Sequence, residues 1–178
     1  MPTVRLSFSP APAHVRTARL VAVAVARRAG VADELLEEIR LAIGEACSRA
    51  VALHRSHRVE QLIDVAMDDG ERFTVRVVDH AANGSAVVAA ADPATFLKDA
   101  PTVELDRAVE LTGAMADDLS EDTTVELAEA MAEEAVAARM GLALLAGLVD
   151  DLEVKTAGDG HGTEVSMSWP VSRKPTDA

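Results

Sequence analysis

Between Leu36 and Leu53 the apolar side chains fall at Leu36, Ile39, Ile43, Ala46, Ala50 and Leu53, at intervals of three and four. That spacing is the period of an α-helix, and it draws one apolar stripe that must pack firmly on a sheet or another helix. The opening segment follows the other period. In Thr3–Phe8, Val4, Leu6 and Phe8 alternate with polar residues, as in a half-buried strand. A chain that must bury a helix stripe and a strand face together is an α+β candidate.

The rest of the chain continues this alternation of periods. After Pro10 and Pro12, residues Ala13–Ala29 read as a helix with Val15, Ala18, Ala22, Val25 and Ala29 on one stripe, stopped by Gly30. Asp33 is placed to cap the striped helix that follows. Strands are expected at Gln61–Met67 and Arg72–Val78, with Asp68-Asp69-Gly70 as a hairpin turn that uses the positive φ open to glycine. From His80 to about Asp99 the pattern dissolves into loop residues, with a short Ala/Val run at Ala86–Ala91 as a further strand candidate. Thr102–Met115 and Thr124–Ala138 read as helices, the second opened by Thr123 and Glu126 at capping-box spacing. A helix preceded by Gly141 and running through Val149, a strand at Leu152–Thr156, a Gly-rich turn at Gly158–Gly162 and a strand at Thr163–Trp169 complete the reading. The expected architecture is a two-layer α+β sandwich, a mixed β-sheet with helices on one face. It occupies residues 1–169 as one domain, with a helical, acidic insertion at about 99–138 and a flexible tail at 170–178.

Charge narrows the classes of partner. The 178 residues carry 30 acidic against 17 basic side chains, a formal −13, which opposes general binding to a phosphate backbone. The four aromatic side chains, Phe8, Phe73, Phe96 and Trp169, make no stacking platform for single strands. The asymmetry is sharper than the total: residues 1–32 hold five arginines and no acid, whereas Asp99–Glu134 holds 12 acids against Arg107 alone. The apolar runs Leu20–Ala26 and Leu142–Leu148 fall well short of the about 20 residues a bilayer span takes. Met1–Phe8 alternates like a strand and not like a secretory signal, and a single cysteine, Cys47, suits a reducing compartment. A cytoplasmic protein is expected. Cys47, His54 and His57, with His80 or His161, match no familiar zinc spacing, and Cys47 borders a buried stripe where a lone thiol usually packs. His54 and His57 read as the polar end of their helix.

The most informative text is EEIRLAIGEACSRAVALH at Glu37–His54, VVDHAANG at Val77–Gly84, ARMGLALLAGLVDDLEV at Ala138–Val154 and GTEVSMSW at Gly162–Trp169. In order and spacing these segments resemble the anti-sigma factor serine kinases of the GHKL, or histidine kinase-like, ATPase superfamily. The resemblance covers nearly the whole chain outside about Ala86–Ala137 and implies the Bergerat-type fold. It implies that Glu45 is the helix glutamate that serves as general base toward an acceptor serine. At Arg49 the family has a magnesium-binding asparagine, and a guanidinium offers only donors and a fixed positive charge. Glu45 and Arg49 stand one turn apart, spaced to pair.

Asp79 matches the aspartate that accepts a hydrogen bond from the adenine amino group, while Ala81 and Asn83 replace the two glycines that follow it. Gly141-Leu142 match a helix start that presents N–H groups to phosphate, with Arg139 nearby and Ala138 where a further glycine is expected. Gly162-Thr163 match the last motif, which supports the adenine side. The resemblance thus implies an ATP and Mg²⁺ site made of Arg49, Asp79, Ala81, Asn83, Arg139, Gly141, Leu142, Gly162 and Thr163, with its metal ligand and most of its glycines changed.

The expected function is that of a bacterial partner-switching anti-sigma factor, a pseudo-kinase with ATP binding weakened or lost. It would bind a sigma factor or a STAS-type antagonist through the basic first helix, where Arg16 and Arg19 suit bidentate contacts with carboxylates. Two alternatives stand beside it. One is an active serine kinase that phosphorylates the antagonist. The other is a nucleotide-free dimerisation or scaffold module built on the Thr124–Ala138 helix, whose Val125, Ala128, Met131, Ala132 and Ala135 share a side.

Overall fold

The computed structural model describes residues 3–81, 141, 144–149, 151–158 and 162–172. Strand β1 (Thr3–Phe8) leads into helix α1 (Pro12–Ala29), a 3₁₀ turn (Asp33–Leu35) and helix α2 (Leu36–Ser56). Strands β2 (Ile63–Asp69), β3 (Arg72–Val78), β4 (Asp151–Thr156) and β5 (Thr163–Pro170) follow, and residues 144–148 are helical. The five strands form one sheet in the order β1-β2-β3-β5-β4. The fold class is the α+β class expected, with α1 and α2 against one face of the sheet.

The sheet itself differs from the mixed one expected, because all four pairings are antiparallel. Two helices, not one, separate β1 from β2. A short connection folds α2 back along α1, so the chain returns to the end of the sheet it left and β2 runs against β1.

Register explains why one face is apolar. Leu6, Val65, Val77, Val165 and Val154 are successive cross-strand partners, and Val4, Met67, Val75, Met167 and Leu152 form a parallel row. A slip of one residue in any strand would turn its half of these rows to the polar face, so the pattern fixes the pairing. Against the rows lie Val15, Ala18, Ala22, Val25 and Ala26 of α1 and the predicted stripe of α2 from Leu36 to Ala50, all buried. Leu53 alone of that stripe packs in a small satellite with Ala81 and Val59. Trp169 closes one end of the core, its Nε1–H donating to Glu38 Oε1 at 2.7 Å.

Several local expectations are corrected. Gly30 stops α1 as expected, at φ 88° with its N–H on Ala26 and Arg27 carbonyls. Asp33 caps nothing: it opens the 3₁₀ turn, and α2 begins after Leu35 without a side-chain cap. The β2–β3 hairpin exists, yet positive φ among the described glycines is confined to Gly30 and Gly162, so Gly70 turns without it. The expected tail starts too early, since Pro170 still pairs with Arg72 and the Ser172 N–H donates to the Gly30 carbonyl at 2.9 Å. Helices Thr102–Met115 and Thr124–Ala138, the Ala86–Ala91 strand and the 99–138 insertion lie outside the described residues. No described helix is long and apolar enough to cross a membrane.

Candidate functional site

Two elements deliver the central polar cluster. On α2, Ala42, Ala46, Arg49 and Leu53 follow one another at intervals of four, three and four, so helical phase carries Arg49 onto the buried side. At the sheet, the ladder between β3 and β5 continues one step beyond β3, where the Asp79 N–H donates to the Thr163 carbonyl at 3.0 Å. Asp79 and Thr163 therefore face each other at the strand ends, beneath α2.

The side chains lock together there. Arg49 Nη1 donates to Asp79 Oδ2 at 2.9 Å and Nη2 to Thr163 Oγ1 at 3.3 Å. Asp79 Oδ1 accepts the N–H groups of Ala81, at 3.2 Å, and Thr163, at 3.3 Å. The Ala81 contact spans two residues, the local turn that aspartate favours after a strand. Both side chains of the ion pair are 1% exposed. Burial pushes the Arg49 guanidinium below its ordinary value, with Asp79 opposing that shift. Arg49 Nε is buried without an acceptor among the described residues.

Gly162 is required by this packing. Its φ is +78°, and a Cβ there would lie 2.0 Å from the Asp79 carbonyl oxygen and 2.7 Å from His80 Cα. Only glycine permits both the backbone conformation and the approach.

His54 supports the same turn from the other side. The expectation of a polar helix end holds for His57, the C-cap of α2, whose Nδ1 donates to the Leu53 carbonyl at 2.9 Å, and is overturned for His54, which is fully buried. Its Nε2 accepts the His80 N–H at 2.8 Å, which leaves Nδ1 as the donor to the Gln61 carbonyl at 3.2 Å. The ring is thus neutral, and burial lowers its pKa although Asp79 pulls the other way. The signal was present in the sequence: Ile43, Cys47, Ala50 and His54 recur at intervals of four, three and four, beside the stripe. Cys47 is buried as well, and desolvation pushes its thiol up to about 12, too high for a nucleophile at neutral pH.

One turn before Arg49, Glu45 sits half-buried with its carboxylate against the backbone of Gly141, where a Cβ would meet Oε1 at 2.5 Å. The expected Glu45–Arg49 pairing is therefore corrected: the guanidinium turns to Asp79, which lies under the buried side of the helix. Of the sequence-derived site residues, the fold gathers Arg49, Asp79, Ala81, Gly162 and Thr163 into one cluster and Glu45 with Gly141 beside it. Asn83, Arg139 and Leu142 lie outside the described residues.

Arg16 and Arg19 separate in environment. Arg16 is exposed on α1, whereas Arg19 lies across Gly44 of α2, where a Cβ would meet its Nε at 2.4 Å, and that Nε has no acceptor among the described residues. Among the described residues, no three His, Cys, Asp or Glu side chains group as a metal site.

Comparison with known proteins yields one family match: the histidine kinase-like ATPase domain, over residues 8–169. No curated protein matches the chain.

Proposed function

Because the chain belongs to the histidine kinase-like ATPase domain family, we propose that it is a partner-switching regulator of the anti-sigma kind that holds protein partners without using ATP. The observation that carries this reading is the buried Arg49–Asp79 pair. By resemblance, Asp79 is the acceptor for the adenine amino group and position 49 the magnesium ligand. As they stand, the residues fit neither group. A guanidinium has no lone pair for a hard cation. The Asp79 carboxylate already accepts three hydrogen bonds, and Arg49 also donates to the Thr163 hydroxyl oxygen. The scaffold survives around this change, as it would in a fold kept for its surfaces and not for phosphate transfer.

The partner surface proposed is the exposed side of α1 around Arg16, in a segment of five arginines and no acids, facing an acidic partner such as a sigma factor or a STAS-type antagonist. The test is pairwise titration of the purified chain against sigma factors and STAS proteins of the same genome, with and without ATP. Binding that ignores ATP and weakens at least tenfold in Arg16→Glu supports the reading. ATP-dependent binding, or partner phosphorylation lost in Glu45→Ala, supports the serine-kinase alternative, which the apposition of Glu45 to Gly141 favours.

A further inference from the structure

We infer that Arg49 is a plug: it occupies, with one side chain, an aminopurine-reading pair of groups that the fold still holds in place beneath it. The inference rests on the reading of Asp79 above and adds that the site is latent and not dismantled. Nη1 and Nη2 of one planar guanidinium bridge Asp79 Oδ2 and Thr163 Oγ1, so these two oxygens lie close enough to be read by a single small group. Without the guanidinium, Oδ2 is an acceptor and the Thr163 hydroxyl is a donor beside it. An exocyclic amine next to a ring nitrogen, the edge of an adenine, presents the complementary donor and acceptor.

Three further observations separate a plug from a member of the core. Asp79 does not depend on Arg49 for its orientation, since its other oxygen is held by the Ala81 and Thr163 N–H groups. The wall behind it is retained at Gly162, where no other residue could approach the Asp79 carbonyl. The guanidinium itself is imperfectly accommodated: its buried Nε has no acceptor among the described residues, in an interior where such groups are rare.

The experiment is thermal denaturation of the full chain and of Arg49→Asn and Arg49→Gln, each with adenosine. Adenosine carries no phosphate and so needs no metal. Purine riboside, the same ring without its amine, is the control. Wild type should show no shift. At least one variant should gain about 3 °C at adenosine concentrations tenfold above its Kd, gain nothing from purine riboside, and lose the effect when Asp79→Asn is added. Folded variants without an adenosine shift overturn the inference. Variants that stay unfolded even with adenosine overturn it too, because Arg49 would then be part of the core. Either failure leaves the nucleotide-free regulator standing, whereas an adenosine shift in wild type that Asp79→Asn removes contradicts both.

Discussion

Two charged residues one turn apart on α2 have opposite fates. Arg49 is buried, paired with Asp79 and tied to Thr163, while Glu45 remains half-buried with its carboxylate against a glycine. The difference comes from helical phase: position 49 falls under the helix against the strand ends, and position 45 at its flank. It separates the two halves of the site physically. The half at Asp79 is sealed by internal hydrogen bonds, and the half at Glu45 keeps a half-buried carboxylate held against Gly141 and not paired with Arg49.

The contrast breaks most directly at the ion pair. Asp79→Ala strands a buried guanidinium and should cost about 3–5 kcal/mol in urea denaturation, whereas Glu45→Ala should cost less than about 1 kcal/mol. Equal costs would erase the distinction between the halves. Gly162→Ala should come next at about 3 kcal/mol, since a Cβ meets the Asp79 carbonyl and the residue must leave positive φ. A wild-type-like melting temperature there would mean that the close approach is dispensable.

His54 sharpens the sealed half further through pH. Its folded-state pKa lies below the usual 6.5, so the unfolded chain binds the proton more readily. The stability that this neutral ring contributes is complete above pH 6.5 and is lost as pH falls below it toward the folded-state value. Melting temperatures between pH 7.5 and 5 should decline more steeply in wild type than in His54→Gln, and parallel slopes would show that the ring does not titrate on unfolding. The smallest effect is expected at Gly141→Ala, where only the end of the flexible Glu45 side chain is in the way. A loss below about 1 kcal/mol should accompany displacement of the Glu45 carboxylate, read from its NMR chemical shift.

Much of the fold was legible because period and burial coincide. The α2 stripe and the alternation in β1, β3 and β5 needed no context, since each pattern has one face to bury. What the stripe concealed were its polar members. Arg49 and His54 follow helical spacing into the interior as faithfully as Ala46 or Leu53, but a charged or polar residue is ordinarily assigned to water. Only the partners made burial tolerable, and Asp79 lies 30 residues away from Arg49 and Thr163 another 84 beyond Asp79. Local spacing offered Glu45 as the nearer partner, and long-range topology chose Asp79. The motif resemblance brought Asp79, Gly162 and Thr163 together correctly in space, yet it could not show that the arginine at position 49 reaches across to them.

The most direct test is calorimetric titration of the wild-type chain with ATP and ADP, with and without Mg²⁺, and with Asp79→Asn as control. The account predicts no binding heat at millimolar nucleotide in either condition. Saturable heat in wild type that disappears in Asp79→Asn would contradict it, because the Asp79 carboxylate would then be open to a base despite Arg49.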